Sequence, residues 1–265
     1  MNRIKLSPWL RFFRVVNLPT VPGDVLVGAA AATWWIRAHM AVQDVVPVAL
    51  AAVASCYFYL FGLADNDIVG AATDNGRPIP DGEISPQAAK TARTVCLVLG
   101  LLSVATVGAL PLSSGLAVLT AVCGLVAAIA LVAAIVAYNR TKRPFLMGVC
   151  RGLNVVLGVT MVAPLLLWVR VIVRAPLQAG VVVAVIAAWT AYIAAVTKYS
   201  EGEERDPERK RRVGALIGGI VYLELVVLIA CALVNPANNP FLVAGAVLLV
   251  VLRVAKMAFP KVSAS

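Results

Sequence analysis

The chain has 265 residues, of which 61% are hydrophobic and 14% charged, with a formal net charge of +10. A soluble domain carries about 25% charged and about 45–50% apolar residues, so one water-excluded core cannot absorb this apolar excess, and it has to face lipid. Nucleic acid, the usual partner of a strongly basic soluble domain, gives way to membrane topology and anionic headgroups as the source of the positive charge.

Apolar runs near 20 residues recur along the chain, and about 20 residues cross a roughly 30 Å hydrocarbon layer as a helix. The runs lack the alternation of barrel strands, so their backbone groups must pair within helices. The expected fold class is all-α, a polytopic membrane helix bundle forming a single domain over 1–265.

In chain order, residues 1–17 carry Arg3, Lys5, Arg11 and Arg14 among Trp9, Phe12 and Phe13, the mix of an amphipathic segment on the membrane surface. No signal peptide is expected ahead of the first span. Spans are expected at 21–38, 42–63, 88–110, 114–137, 146–168, 177–198, 213–234 and 239–258, with Pro111, Pro176 and Pro236 at turns. Segments 64–87 and 199–212 are long polar loops. With the N-terminus in the cytoplasm, only Arg37, Arg170 and Arg174 of the 23 Lys and Arg fall on the far side. The protein is therefore expected to be a multi-pass cell-membrane protein with its polar loops cytoplasmic. Its five cysteines are scattered without a CxxC, and its single histidine, His39, stands beside a span end, so both read as ordinary membrane residues.

The loops following spans two, four and six concentrate the polar chemistry. Span two ends in Asp65-Asn66-Asp67, with Asp74 beyond. If the helix continues, Asp67 and Asp74 are seven residues apart and return to nearly the same face. Hard oxygens so placed suit Mg²⁺, which takes one or two carboxylates together with water and phosphate oxygens; a solvated acidic helix end is the other reading. Polar groups at membrane depth favour function. Arg77-Pro78-Ile79-Pro80-Asp81-Gly82 forms a stiff, shaped loop, and Ser85-Pro86 opens a helix as N-cap and first helical residue. Arg140, Lys142 and Arg143 follow span four, either as topological anchors or as phosphate ligands. Arg151 and Asn154, three apart, share one face of the next helix, where such residues turn inward. In the loop after span six, Glu201, Glu203 and Glu204 are either a solvated surface or a second group of metal ligands.

Together these segments resemble a known family. Asn66-Asp67 with Asp74 is similar to the first aspartate-rich motif, NDxxDxxxD, of UbiA-type intramembrane prenyltransferases. Arg77-Pro78-Ile79-Pro80, Gly82 and Ser85 resemble the RPIPSGxxS stretch that follows it. Tyr138 with Thr141-Lys142-Arg143 resembles the YxxTKR loop, and Asn17-Leu18-Pro19-Thr20 the N-terminal segment. The resemblance covers roughly residues 10–205, in matching order. It implies a helix bundle around a central cavity with a cytoplasmic cap, holding one helix more than the sequence displays. It also implies transfer of a prenyl group from a prenyl diphosphate to a lipophilic or aromatic acceptor, assisted by Mg²⁺. On that reading Asn66, Asp67, Asp74 and Glu203 hold metal, while Asp67, Asp74 and Lys142 act in catalysis. Arg77, Arg140, Arg143, Arg151, Asn154 and Asn17 bind the diphosphate or line the cavity. The chain departs from the family at Gly70, where the first motif has its middle aspartate, and between Asp74 and Arg77, where it is shorter. It departs again in the second motif, DxxDxxGD, where Val196 and Tyr199 replace aspartates and Glu203 alone keeps a carboxylate. This last departure supports an alternative, a non-catalytic protein of the same fold that binds or moves a lipophilic isoprenoid within a membrane assembly.

Overall fold

The computed structural model describes residues 7–36, 42–72, 76–110, 115–163, 176–203, 206–235 and 239–258. Among these there are helices and turns but no strand. A short helix α1 (Pro8–Phe12) leads through a 3-10 turn (Val15–Thr20) into α2 (Pro22–Ile36) and α3 (Val42–Val69). Then come α4 (Pro86–Ala105), α5 (Leu116–Thr141), α6 (Pro144–Val162), α7 (Pro176–Ser200), α8 (Pro207–Val234) and α9 (Asn239–Ala258). Among the described residues seven segments are long and apolar enough to cross a membrane, and α9 adds a shorter apolar stretch, Asn239–Ala255.

Local sequence explains most helix starts. Proline begins α1, α2, α4, α6, α7 and α8, where its missing N–H costs no hydrogen bond and its φ suits a first turn. Ser85 accepts from the Ala88 N–H at 3.2 Å, and Asp206 accepts from the Glu208 and Arg209 N–H groups at 2.9 and 3.1 Å, each capping the helix that follows. Lys142 ends α5 in a left-handed conformation (φ 54°), its N–H returning to the Tyr138 carbonyl at 2.7 Å.

The central helix α6 packs against α2, α5 and α7. Without a hydrophobic force between helices in lipid, close approach depends on small residues, and α6 supplies Gly148, Gly152 and Gly158. A Cβ on Gly158 would overlap the Val25 carbonyl of α2, and one on Gly148 the Thr190 carbonyl of α7. Gly28 makes the reciprocal contact with the Val155 carbonyl. The outer faces are apolar at helical spacing: Val118, Val122, Val126 and Ile129 on α5, and Val243, Val247, Val250 and Val254 on α9 are all exposed. This is the lipid-facing counterpart of the apolar excess in the composition.

Two expectations need correction. α3 runs to Val69 rather than 63, so Asp65, Asn66 and Asp67 are helical; it stops there, and the helical continuation toward Asp74 does not form. Helices α5 and α8 likewise extend past the expected 137 and 213, into Thr141 and back to Pro207. Hydropathy marks where the membrane ends, whereas polar turns prolong the helix beyond it. Within 1–17 the described α-helix is Pro8–Phe12, with Phe12 fully buried against Ala64, Ile79, Ile84 and Ala89 while Trp9 and Leu10 are exposed. Residues 1–6 lie outside the described residues.

Candidate functional site

At one end of the bundle α3, α5 and α7 finish while α4, α6 and α8 begin. A cavity of about 1290 Å³ opens there. Its deeper wall is apolar, formed by Phe58, Leu131, Ile135, Ile193, Ile217 and Ile220. Its mouth is polar, with Arg11, Arg14, Arg77 and Lys210 set among Asn66, Glu83 and Glu203.

The last turns of α3 organise this mouth. Asp67 is 2% exposed. Its Oδ1 accepts from Arg14 Nη2 and Arg77 Nη1, both at 3.1 Å, and from Asn66 Nδ2 at 3.3 Å. Lys142 Nζ donates to Asn66 Oδ1, tying the end of α5 to the end of α3. Arg11 pairs with Glu83, closing the α1 side of the mouth over the loop that precedes α4. Arg14 sits in a left-handed backbone conformation (φ 41°, ψ 48°), uncommon for a residue with a Cβ, as the 3-10 turn begins. One face over, Asp65 is structural: Arg93 Nη1 donates to it at 3.0 Å and Asn139 Nδ2 at 2.9 Å, joining α3, α4 and α5.

A second polar group lies deeper. Arg151 of α6 lines the cavity, and its Nε meets Asp24 Oδ2 of α2 at 2.9 Å. Its Nη2 donates to the Thr20 carbonyl at 2.6 Å and stands 3.6 Å from Glu224 Oε1 of α8. Trp189 of α7 donates its indole N–H to Asp24 Oδ1 at 2.8 Å. Asn154 also lines the cavity, its Oδ1 accepting from Ser55 Oγ at 2.7 Å.

The residues singled out in the sequence therefore separate. Asn17, Asn66, Arg77, Arg151, Asn154 and Glu203 line the cavity, and Asp67 and Lys142 are bonded into its mouth. Arg140 and Arg143, at the left-handed end of α5, are exposed and are not among the lining residues. Asp74 and Glu204 lie outside the described residues. Arg14, expected within the amphipathic N-terminal segment, reaches Asp67 at the cavity mouth. Sequence reasoning passed over Asp24, Glu224 and Trp189 altogether. The signal for two of these was present, since a lone carboxylate inside an apolar span is costly and calls for a partner.

Among the described residues no three His, Cys, Asp or Glu side chains converge as a metal site. Asn66 and Asp67 on one side and Glu203 on the other provide few protein oxygens. That sparse set fits Mg²⁺, which is held by one or two carboxylates and takes its other ligands from water and phosphate. An ion at Asp67 Oδ1 would share that oxygen with Arg14 and Arg77.

No family model and no curated protein sequence matches the chain. Solved structures do. A UbiA homologue from Archaeoglobus fulgidus bound to DMAPP and Mg²⁺ superposes with a TM-score of 0.52 at 14% identity, covering 94% of this chain and 99% of that one. A second structure of a UbiA homologue from Archaeoglobus fulgidus gives a TM-score of 0.52 at 13% identity, covering 97% and 96%. A structure of digeranylgeranylglyceryl phosphate synthase gives 0.51 at 14% identity, with the same coverage of 97% and 96%. The chain has the UbiA fold, the architecture that its motifs implied.

Proposed function

We propose that this UbiA-fold protein is an intramembrane prenyltransferase, moving a prenyl group from a prenyl diphosphate to a lipophilic or aromatic acceptor. One observation carries the reading: a single cavity joins a cation-lined mouth to an apolar interior, matching a substrate with a diphosphate head and an isoprenoid tail. Structures of the Archaeoglobus fulgidus homologue bound to DMAPP and to GPP, each with Mg²⁺, support it.

In this reading Asn66, Asp67 and Asp74, with Glu203 opposite, hold Mg²⁺, which when bound neutralises the diphosphate and makes it a better leaving group. Arg77, Arg14 and Lys142 orient the same head group and offset the charge that grows on it as the C–O bond breaks. The electron pair leaves with the diphosphate, and the acceptor nucleophile forms the new bond to the allylic carbon and gives up its proton. The apolar walls around Phe58, Leu131 and Ile193 exclude water, which would otherwise take the acceptor's place. Asn17, Arg151 and Asn154 border the space left for the acceptor. The charge bias of the loops supports an orientation with this mouth on the cytoplasmic face of the cell membrane.

A second reading rests on the end of α7, where Val196, Thr197 and Ser200 line the cavity and, among the described residues, Glu203 is the lining carboxylate of that side. A protein built in this way could hold an isoprenoid without turning it over. The two readings separate when the full chain in lipid receives Mg²⁺, radiolabelled prenyl diphosphates of several lengths and a membrane extract as acceptor source. Labelled lipophilic product that disappears in Asp67→Asn and Asp74→Asn supports the enzyme. Tight isoprenoid binding without turnover under every condition supports the binding protein.

A further inference from the structure

The Asp24–Arg151–Glu224 group lies deeper than the polar mouth and, among the described residues, is the most deeply buried set of charged side chains. Asp24 and Glu224 are 0% and 1% exposed, and Arg151 is 9% exposed. The glutamate reaches the site through a notch at Gly23, where a Cβ would overlap its carboxyl group. Two carboxyl groups thus face one guanidinium within spans that cross the membrane. Fully ionised, this set would leave one negative charge uncompensated at membrane depth, the costly arrangement that proteins avoid by pairing or by taking up a proton.

The geometry divides the two carboxyls. Asp24 accepts from the Trp189 indole N–H at 2.8 Å and its other oxygen is ion-paired with Arg151, Oδ2 standing 2.9 Å from Nε, and both contacts favour its ionised form. Glu224 has only a 3.6 Å approach from Arg151, whose Nη2 is turned to the Thr20 carbonyl at 2.6 Å. The two carboxyl groups crowd the same guanidinium, Asp24 Oδ2 at 2.9 Å and Glu224 Oε1 at 3.6 Å. Ionised carboxylates only accept, so a hydrogen bond between two of them requires a proton on one.

We propose that Asp24 and Glu224 form a proton-binding site in the cavity wall, holding one proton on Glu224 that is shared with the Asp24 carboxylate. With the proton bound the cluster is neutral, and the wall behind Arg151 presents no net charge to the interior. Without it the wall is anionic, and the contact of α2 with α8 is repulsive. The charged and titratable neighbours are few. Arg151 comes from α6, Trp189 from α7, and Tyr59 from α3 on the cavity side. Arg253 of α9 is engaged with the exposed Tyr222.

Infrared difference spectroscopy on the full chain in lipid at neutral pH reads the proton directly, as the C=O stretch of a neutral carboxylic acid. The wild type shows this band and Glu224→Gln lacks it. Asp24→Asn also lacks it, because Glu224 then ionises as the sole counter-ion of Arg151. Arg151→Met strengthens the band, since without the cation both carboxyls hold protons. A purely structural cluster of ionised groups would move none of these signals. A wild type without the band, or a band that survives Glu224→Gln or Asp24→Asn, overturns the proposal. Glutamine fills the same volume as glutamate, so the Glu224→Gln comparison decides the matter even if the other variants fail to fold.

Discussion

At Asp67 a single carboxylate oxygen gathers Arg14, Arg77 and Asn66, and the consequences are specific. Arg77→Ala removes one preorganised donor from the head group, and the transfer rate is expected to fall about 10²–10³-fold. Arg77→Lys does not restore it, because a point charge cannot reproduce the planar fork; single-turnover kinetics with labelled substrate check both. Deeper in, Arg151→Ala leaves two buried carboxyls without their cation, and breaking such a pair costs about 3–5 kcal/mol. Thermal unfolding in lipid or detergent should show a large fall, much larger than for Arg140→Ala, whose side chain is exposed. Much of this was legible residue by residue: Asn66, Asp67, Arg77, Arg151 and Asn154 stood out as polar groups at span ends or within spans. Asp24 and Glu224 did not, because each is a lone acid in an apolar run and 200 positions separate them, so only folding reveals that they share Arg151.

Helix contacts depend on residues with no side chain at all. Gly158 and Gly28 let α6 and α2 touch backbone to backbone, and Gly148 does the same between α6 and α7. Gly158→Val and Gly148→Val are therefore expected to lower stability by about 1–3 kcal/mol or to abolish assembly, as overpacking does. Gly180 of α7 has nothing near a Cβ, and Gly180→Ala should raise stability by about 0.5–1 kcal/mol through helix propensity alone. Thermal midpoints of the three variants under one condition test this contrast. Helix existence and helix starts were readable, since apolar length and a first-turn proline are local properties. Helix ends were not. The polar turns of α3 past 63, of α5 past 137 and of α8 before 213 are held by capping and by tertiary contacts such as Lys142 with Asn66, and hydropathy is blind to both.

For the whole molecule, the alternation of long helices brings three polar loops to one end and leaves apolar stripes on the outside. The UbiA fold was legible because order and spacing of several short motifs agreed, although overall identity to the solved homologues is only 13–14%. Loop charge bias predicts that a cytoplasmic reporter fused after Ser265 is active and a periplasmic one inactive; the reverse pattern would place the cavity mouth on the other face. The central claim is that this mouth holds a diphosphate for ionisation over a dry apolar cavity. Its most direct measurement is diphosphate release from a radiolabelled prenyl diphosphate by the full chain in lipid with Mg²⁺, for wild type, Asp67→Asn and Arg77→Ala. The account predicts release by the wild type and its loss in both variants. Equal release by all three, or none by a wild type that binds the substrate tightly, would contradict it.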